Sequence, residues 1–251
     1  SGHLRGLVLK DDEIKHHITQ SLQELVDPEI FAEKYNLKSG AFKPLLFAMG
    51  DGNHSLATAK AIWEKIKPKV GMNHPARYAL VEIENIHDPA LTFEPIHRLL
   101  FDVEQDLIEE MKAFWQDKLS VKEMDSIEAM KAIVDEADEP WHQIGMISPD
   151  GVKLIEIRKP LDNLPVGTLQ KFLDHYLAKA ISGKIDYVHG TDVLFEKGKM
   201  PGNAGFYVPG IDKSELFKTV ILDGALPRKT FSMGEAKEKR FYVECRRIKA
   251  S

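Results

Sequence analysis

Residues 43–67 read KPLLFAMGDGNHSLATAKAIWEKIK, and the reading of the fold starts there. The apolar run 44–49 predicts a buried strand. It breaks at Gly50-Asp51-Gly52-Asn53, and a helix is expected from His54 or Ser55, with Leu56, Ala59, Ile62 and Trp63 spaced as a buried face. Ser55, or Asn53 before it, is the expected N-cap, and the two glycines allow a sharp turn. A helix N-terminus with unpaired N–H groups, the carboxylate of Asp51 and the imidazole of His54 suits an anion. Phosphate is the expected anion. A turn that only caps a helix is the structural alternative.

Working outward, 4–9 is a short strand pattern, 11–26 an amphipathic helix capped by Asp11 or Asp12, and 28–35 a second short helix. His16 and His17 are adjacent, so they point to different faces and cannot hold one metal together. Residues 78–86 alternate as a strand. In 91–101 an extended stretch interrupted by Pro95 carries His97 and Arg98 between apolar neighbours. Buried charge needs a partner, so the pair is unusual; a functional role and a structural one, with Arg98 paired to Glu94 and His97 half exposed, are equal readings. Helices are expected at 104–119 and 126–136, then a hairpin of strands 141–147 and 152–157 turned at Ser148-Pro149-Asp150-Gly151. After that come a helix (168–181), a strand (185–190), a helix opened by Thr191 or Asp192, a strand (204–208), a helix (from 212 or 213 to 222) and a strand (241–246).

Strands and helices alternate irregularly with hairpins among them, which predicts an α+β fold: a mixed sheet with flanking helices. The expected organisation is a core part at 1–101, a helix–helix–hairpin subdomain at 102–160, and a part at 161–251 that completes the core.

Three segments carry candidate chemistry. In the first, Asp51 is a candidate base or Mg²⁺ ligand, while Gly52, Asn53, His54 and Ser55 form the phosphate-binding turn. The second is Tyr187-Val188-His189-Gly190-Thr191-Asp192, for which a turn with an N-cap is an equal reading. The third is Arg228-Lys229-Thr230 followed by Ser232, cations and hydroxyls suited to phosphate. An exposed basic loop is the bland reading of that segment. His97, Arg98 and His189 form a second tier. The sequence holds no HExxH, CxxC, P-loop or GxSxG motif, and Gly202-Asn203-Ala204-Gly205 makes no dinucleotide fingerprint. The lone Cys245 falls in an expected strand, so a buried, inert thiol is expected.

With 251 residues, 43% of them hydrophobic, the chain can build one large core or two small ones. A formal net charge of −5 gives no bulk attraction for nucleic acid. No apolar run approaches the roughly 20 residues that span a bilayer. One cysteine excludes an internal disulfide and suggests a reducing compartment, so a cytoplasmic protein is expected. The start at Ser1-Gly2-His3, without methionine, reads as a piece of a longer chain.

The stretches DGNHSLATAKAIWE, NHPARYALVEIENIHD, FEPIHR, DYVHGTDV, DKSELFKTV and LPRKTFSMGEAKEKRFYVE together resemble the domain of unknown function 1015 family of bacteria and archaea. The family's turn usually reads Asp-Gly-His-His-Arg and its late loop Pro-Lys-Ser-Thr. Here Ser55 replaces that arginine, so another cation must serve, and Pro227-Arg228-Lys229-Thr230 stands at the late loop. Family members are usually longer at the N-terminus. The turn is in addition similar to the phosphate-binding turn of the ParB and sulfiredoxin superfamily, which includes a free-serine kinase. The resemblance implies a phosphotransfer or phosphate-ester enzyme, kinase-like or phosphatase-like, acting on a small metabolite, with serine or phosphoserine as the first choice. Mg²⁺ and a nucleotide are the implied cofactors, and a homodimer is compatible with it. The alternative is a non-catalytic regulatory protein that binds a nucleotide or phosphometabolite. A DNA-binding role by analogy with ParB is disfavoured by the charge.

Overall fold

The computed structural model describes residues 3, 5–137, 140–234 and 245–248. The chain divides into two compact units, one of residues 1–88 with 236–251 and the other of 89–235.

In the first unit local chemistry sets three helices. Asp11 opens α1 (Asp12–Glu24) by accepting from Glu13 N at 2.8 Å. Asp27 opens α2 (Pro28–Lys34) by accepting from Glu29 N and Ile30 N, with Pro28 at the position where its missing N–H has no cost. Phe31 and Ala32 of α2 are buried, and the Phe31 ring meets Tyr35 edge-on at 4.9 Å.

The third helix, α3 (Asn53–Val70), departs from expectation. Its N-cap is Gly52, not Asn53 or Ser55, and no side chain caps it. None of its residues is buried, although Leu56, Ala59, Ile62 and Trp63 have the spacing of a core face. The strand patterns at 4–9, 44–49 and 78–86 likewise form no ladder among the described residues, and Leu7, Phe47, Leu80, Val81 and Ile83 are exposed. An alternating apolar run becomes a strand only where a neighbouring strand supplies hydrogen bonds and cover. Arg246 donates through Nη1 to the carbonyls of Pro75 and Tyr78 at 2.8 and 2.6 Å. Cys245 is exposed rather than buried; the strand expected to enclose it lies mostly outside the described residues.

The second unit holds the sheet. In chain order it runs β1 (Phe93–Phe101), α4 (Leu107–Trp115), β2 (Leu119–Met124), α5 (Ile127–Asp135), β3 (His142–Ser148), β4 (Gly151–Ile157), α6 (Pro165–Lys179), β5 (Lys184–His189), α7 (Thr191–Gly198), β6 (Ala204–Tyr207), α8 (Lys213–Asp223) and β7 (Phe231–Met233). The strand order is β2-β4-β3-β6-β1-β5, with β7 also on β1. Every pairing among the described residues is antiparallel, where a mixed sheet is the expectation from sequence. The α+β class stands, as an open antiparallel sheet with helices. The strands of 119–157 belong to the same sheet as β1, β5 and β6.

Both faces of the sheet are covered. One core joins Leu107, Met111 and Trp115 of α4 and Leu169, Phe172 and Tyr176 of α6 to Leu100, Ile144 and Phe206. The other joins Met130 and Val134 of α5 and Leu194 of α7 to Leu99, Ile147 and Tyr207. Period-two alternation sends Leu99 and Leu100 to opposite cores. Cover on both sides also explains why β3 is buried along its whole length. At Gly145 a helix approaches so closely that a Cβ would lie 2.0 Å from Met130 Sδ.

Candidate functional site

The Asp51 turn is built by a single backbone reversal. Gly52 takes φ 77 and ψ 16, the left-handed region that a side chain disfavours. Asp51 Oδ1 accepts from Gly52 N at 2.8 Å, and Gly52 O accepts from Leu56 N at 2.9 Å. A left-handed residue followed by helical ones turns successive N–H groups toward one point, a concavity suited to anions. Asp51, Asn53, His54 and Ser55 are all exposed around it. The structure thus brings five of the sequence-predicted residues to one helix end. Among the described residues no three His, Cys, Asp or Glu side chains group to hold a metal.

The remaining predicted residues lie in the second unit. Its organising side chain is Arg98 on β1, which is 0% exposed. Arg98 Nε donates to Gln170 Oε1 at 2.9 Å, Nη1 to the carbonyls of Ile96 and Lys229, and Nη2 to the carbonyl of Arg228. Its guanidinium also lies 4.9 Å from the centre of the Tyr187 ring. Glu94, the partner in the structural reading, is not used, and no carboxylate forms a salt bridge with Arg98 among the described residues. Carbonyls and an amide replace its water instead, each bond to a charged donor contributing roughly 1.5–3 kcal/mol. Burial lowers its pKa to about 10, against the opposing pull of Tyr187 and Asp174, so it stays charged at neutral pH.

Arg98 fixes the backbone of the 227–230 loop. Lys229 there takes a left-handed φ of 57°, and Thr230 Oγ1 donates to Pro227 O at 2.6 Å. Arg228 and Lys229 are exposed, whereas Thr230 is buried and its hydroxyl closes the turn.

His97 points to the opposite face and is 1% exposed, not half exposed. Its Nδ1 accepts from Val208 N at 3.3 Å and its ring stacks on Tyr207 at 4.6 Å. Burial first, then the charges of Arg98, Lys131 and His189, lowers its pKa to about 4. It is a neutral structural imidazole. His189 is exposed, 3.5 Å from Ser232 Oγ.

Two buried polar residues carry no motif and escape a local reading. His142, whose Nδ1 lies 2.9 Å from Thr168 Oγ1, has its pKa lowered to about 4 chiefly by burial. Gln170 joins Arg98 to Asp174 Oδ1, donating to the latter at 2.8 Å. A glutamine inside the apolar face of α6 is the only signal for it.

No helix among the described residues is long and apolar enough to cross a membrane. A family model described as a protein of unknown function, DUF1015, matches residues 2–176. No curated protein and no solved structure matches.

Proposed function

The chain belongs to the DUF1015 family of unknown function, and from that premise we propose a phosphotransfer or phosphate-ester enzyme that acts on a small metabolite. The supporting observation is the open end of α3. Its first-turn N–H groups have no side-chain cap, Gly52 curls them inward, and Asn53, His54 and Ser55 surround them in the open. In this reading the turn holds the phosphate, and Asp51 serves as general base or as the carboxylate of a Mg²⁺ ion that a nucleotide brings. Serine and phosphoserine are the first compounds to test.

One observation favours a second reading, a regulatory protein that binds a phosphometabolite without turning it over. Asp51 Oδ1 is already taken by Gly52 N, and the residue is exposed, so nothing described orients it as a base.

The test is thermal shift and ³¹P NMR on the full chain with phosphate, phosphoserine, serine and ATP, with and without Mg²⁺. A ligand at about 100 times its Kd adds roughly 2.7 kcal/mol of stability. The enzyme reading expects a shift that His54→Ala removes, with turnover that Asp51→Asn removes. Binding without turnover selects the regulatory reading. No shift with any phosphate compound overturns both.

A further inference from the structure

We propose that the second unit binds a small zwitterion, carrying one carboxylate and one ammonium group, in the cavity between the start of α6, the end of α8 and the 225–228 loop. The cavity has a volume of about 300 Å³. That is the low end of the range for ligand pockets, and suits a compact metabolite better than a nucleotide. The inference does not rest on the phosphate reading of α3.

The ligand class follows from which charges at the cavity already have partners. Asp162 and Lys171 line it and neutralise each other at 2.6 Å. Asp223 has both oxygens occupied, by the backbone N and side-chain Nδ2 of Asn163 at 2.8 and 2.6 Å. No cation pairs with Asp223 among the described residues, but both its oxygens are hydrogen-bonded; the lining charges that keep open positions are the guanidinium of Arg228 and the carboxylate of Asp174, which accepts from Gln170 on one oxygen and feels Arg98 through space without a salt bridge. They do not pair with each other. One cation and one anion with open hydrogen-bonding positions on a single cavity complement a molecule with one charge of each sign.

The same buried residue, Arg98, holds the backbone of Arg228 and, through Gln170, the carboxylate of Asp174. Pre-set partners reduce the ordering cost of binding. Two further features favour the carboxylate end. Thr219 lines the cavity at 2% exposure, and its hydroxyl has no hydrogen-bond partner among the described residues. Leu164 and Gly167, at the N-terminus of the 15-residue α6, also line it, and that terminus lacks a side-chain cap. The ligand's carboxylate meets Arg228 and Thr219, and its ammonium meets Asp174.

The experiment is ligand-observed NMR followed by calorimetry on the full chain. The probes are the twenty L-α-amino acids, β-alanine and γ-aminobutyrate, with N-acetylated and amidated forms of any that bind, and inorganic phosphate. The expected result is binding of at least one zwitterion, weakened about tenfold or more when either end is blocked, a loss of about 1.4 kcal/mol or more. Arg228→Ala and Asp174→Asn, both at exposed side chains, are each expected to weaken it similarly. Thr219→Val removes an unpartnered hydroxyl, so it is expected to keep or raise the melting temperature while weakening binding. His54→Ala is expected to leave this binding unchanged, which separates it from any ligand held at α3. The proposal is overturned if no zwitterion binds in the millimolar range, if blocked forms bind equally well, or if Arg228→Ala and Asp174→Asn bind like the parent.

Discussion

Arg98 Nη2 donates to the carbonyl oxygen of Arg228 at 3.2 Å, so a buried guanidinium fixes the backbone from which an exposed one projects. Replacing Arg98 by methionine leaves Gln170 Oε1 and three carbonyls without their donor. Each buried unsatisfied group costs about 1–3 kcal/mol, so a loss of about 3 kcal/mol or more is expected in urea unfolding. Arg98→Lys keeps the charge without the fork, and an intermediate loss is expected. A methionine variant as stable as the parent would contradict this account of the 227–230 loop.

Stability is expected to fall with acid between pH 6.5 and 4. His97 and His142 both have pKa values lowered to about 4, mainly by burial, so over that window the unfolded chain binds more protons than the native one. Their contribution is complete above the ordinary imidazole value, is lost as pH falls, and levels off below 4. The combined effect is on the order of a few kcal/mol. Urea midpoints from pH 7.5 to 4 measure it, and His97→Asn, which keeps an acceptor for Val208 N, is expected to flatten the curve.

Gly145→Ala is expected to destabilise by about 1–3 kcal/mol, the range for overpacking a filled core. The added methyl would collide with Met130 Sδ. Shortening Met130 to alanine in the same chain is expected to recover part of that loss, so the two changes are non-additive. Additive losses would show that the contact does not set the constraint.

Cys245 is exposed and is the sole cysteine, so a thiol reagent is expected to modify one equivalent without denaturant. Modification only after unfolding would restore the buried thiol expected from sequence. Far-ultraviolet circular dichroism before and after labelling checks that the fold persists.

The second unit is legible in the sequence because its signals are local. The Ser148-Pro149-Asp150-Gly151 turn joins β3 and β4 as expected, and Asp106, Ser126 and Asp212 cap the helices they precede. Strand β2, LSVKEM, is less legible. It mixes apolar and charged residues, and its pairing with β4 gives the run its strand character. In the first unit the patterns read as strands meet no ladder among the described residues, since periodicity reports what a segment can cover and not what lies beside it. The partners of Arg98 are illegible for a different reason. Glu94 is near in sequence, but the acceptors are Gln170 and carbonyls of the 227–230 loop, which only the sheet brings within reach.

The placement of β1 between β5 and β6 has a consequence for the newly made chain. Leu99 pairs with Asp186 on one side and Gly205 on the other, and Pro95 with Phe231. β1 leaves the ribosome before all of them, and Arg98 waits between 72 and 131 residues for its side-chain and loop acceptors. Throughout that interval an apolar strand with open edges carries a full positive charge at its middle. A charge in that position opposes pairing with strands of other nascent chains.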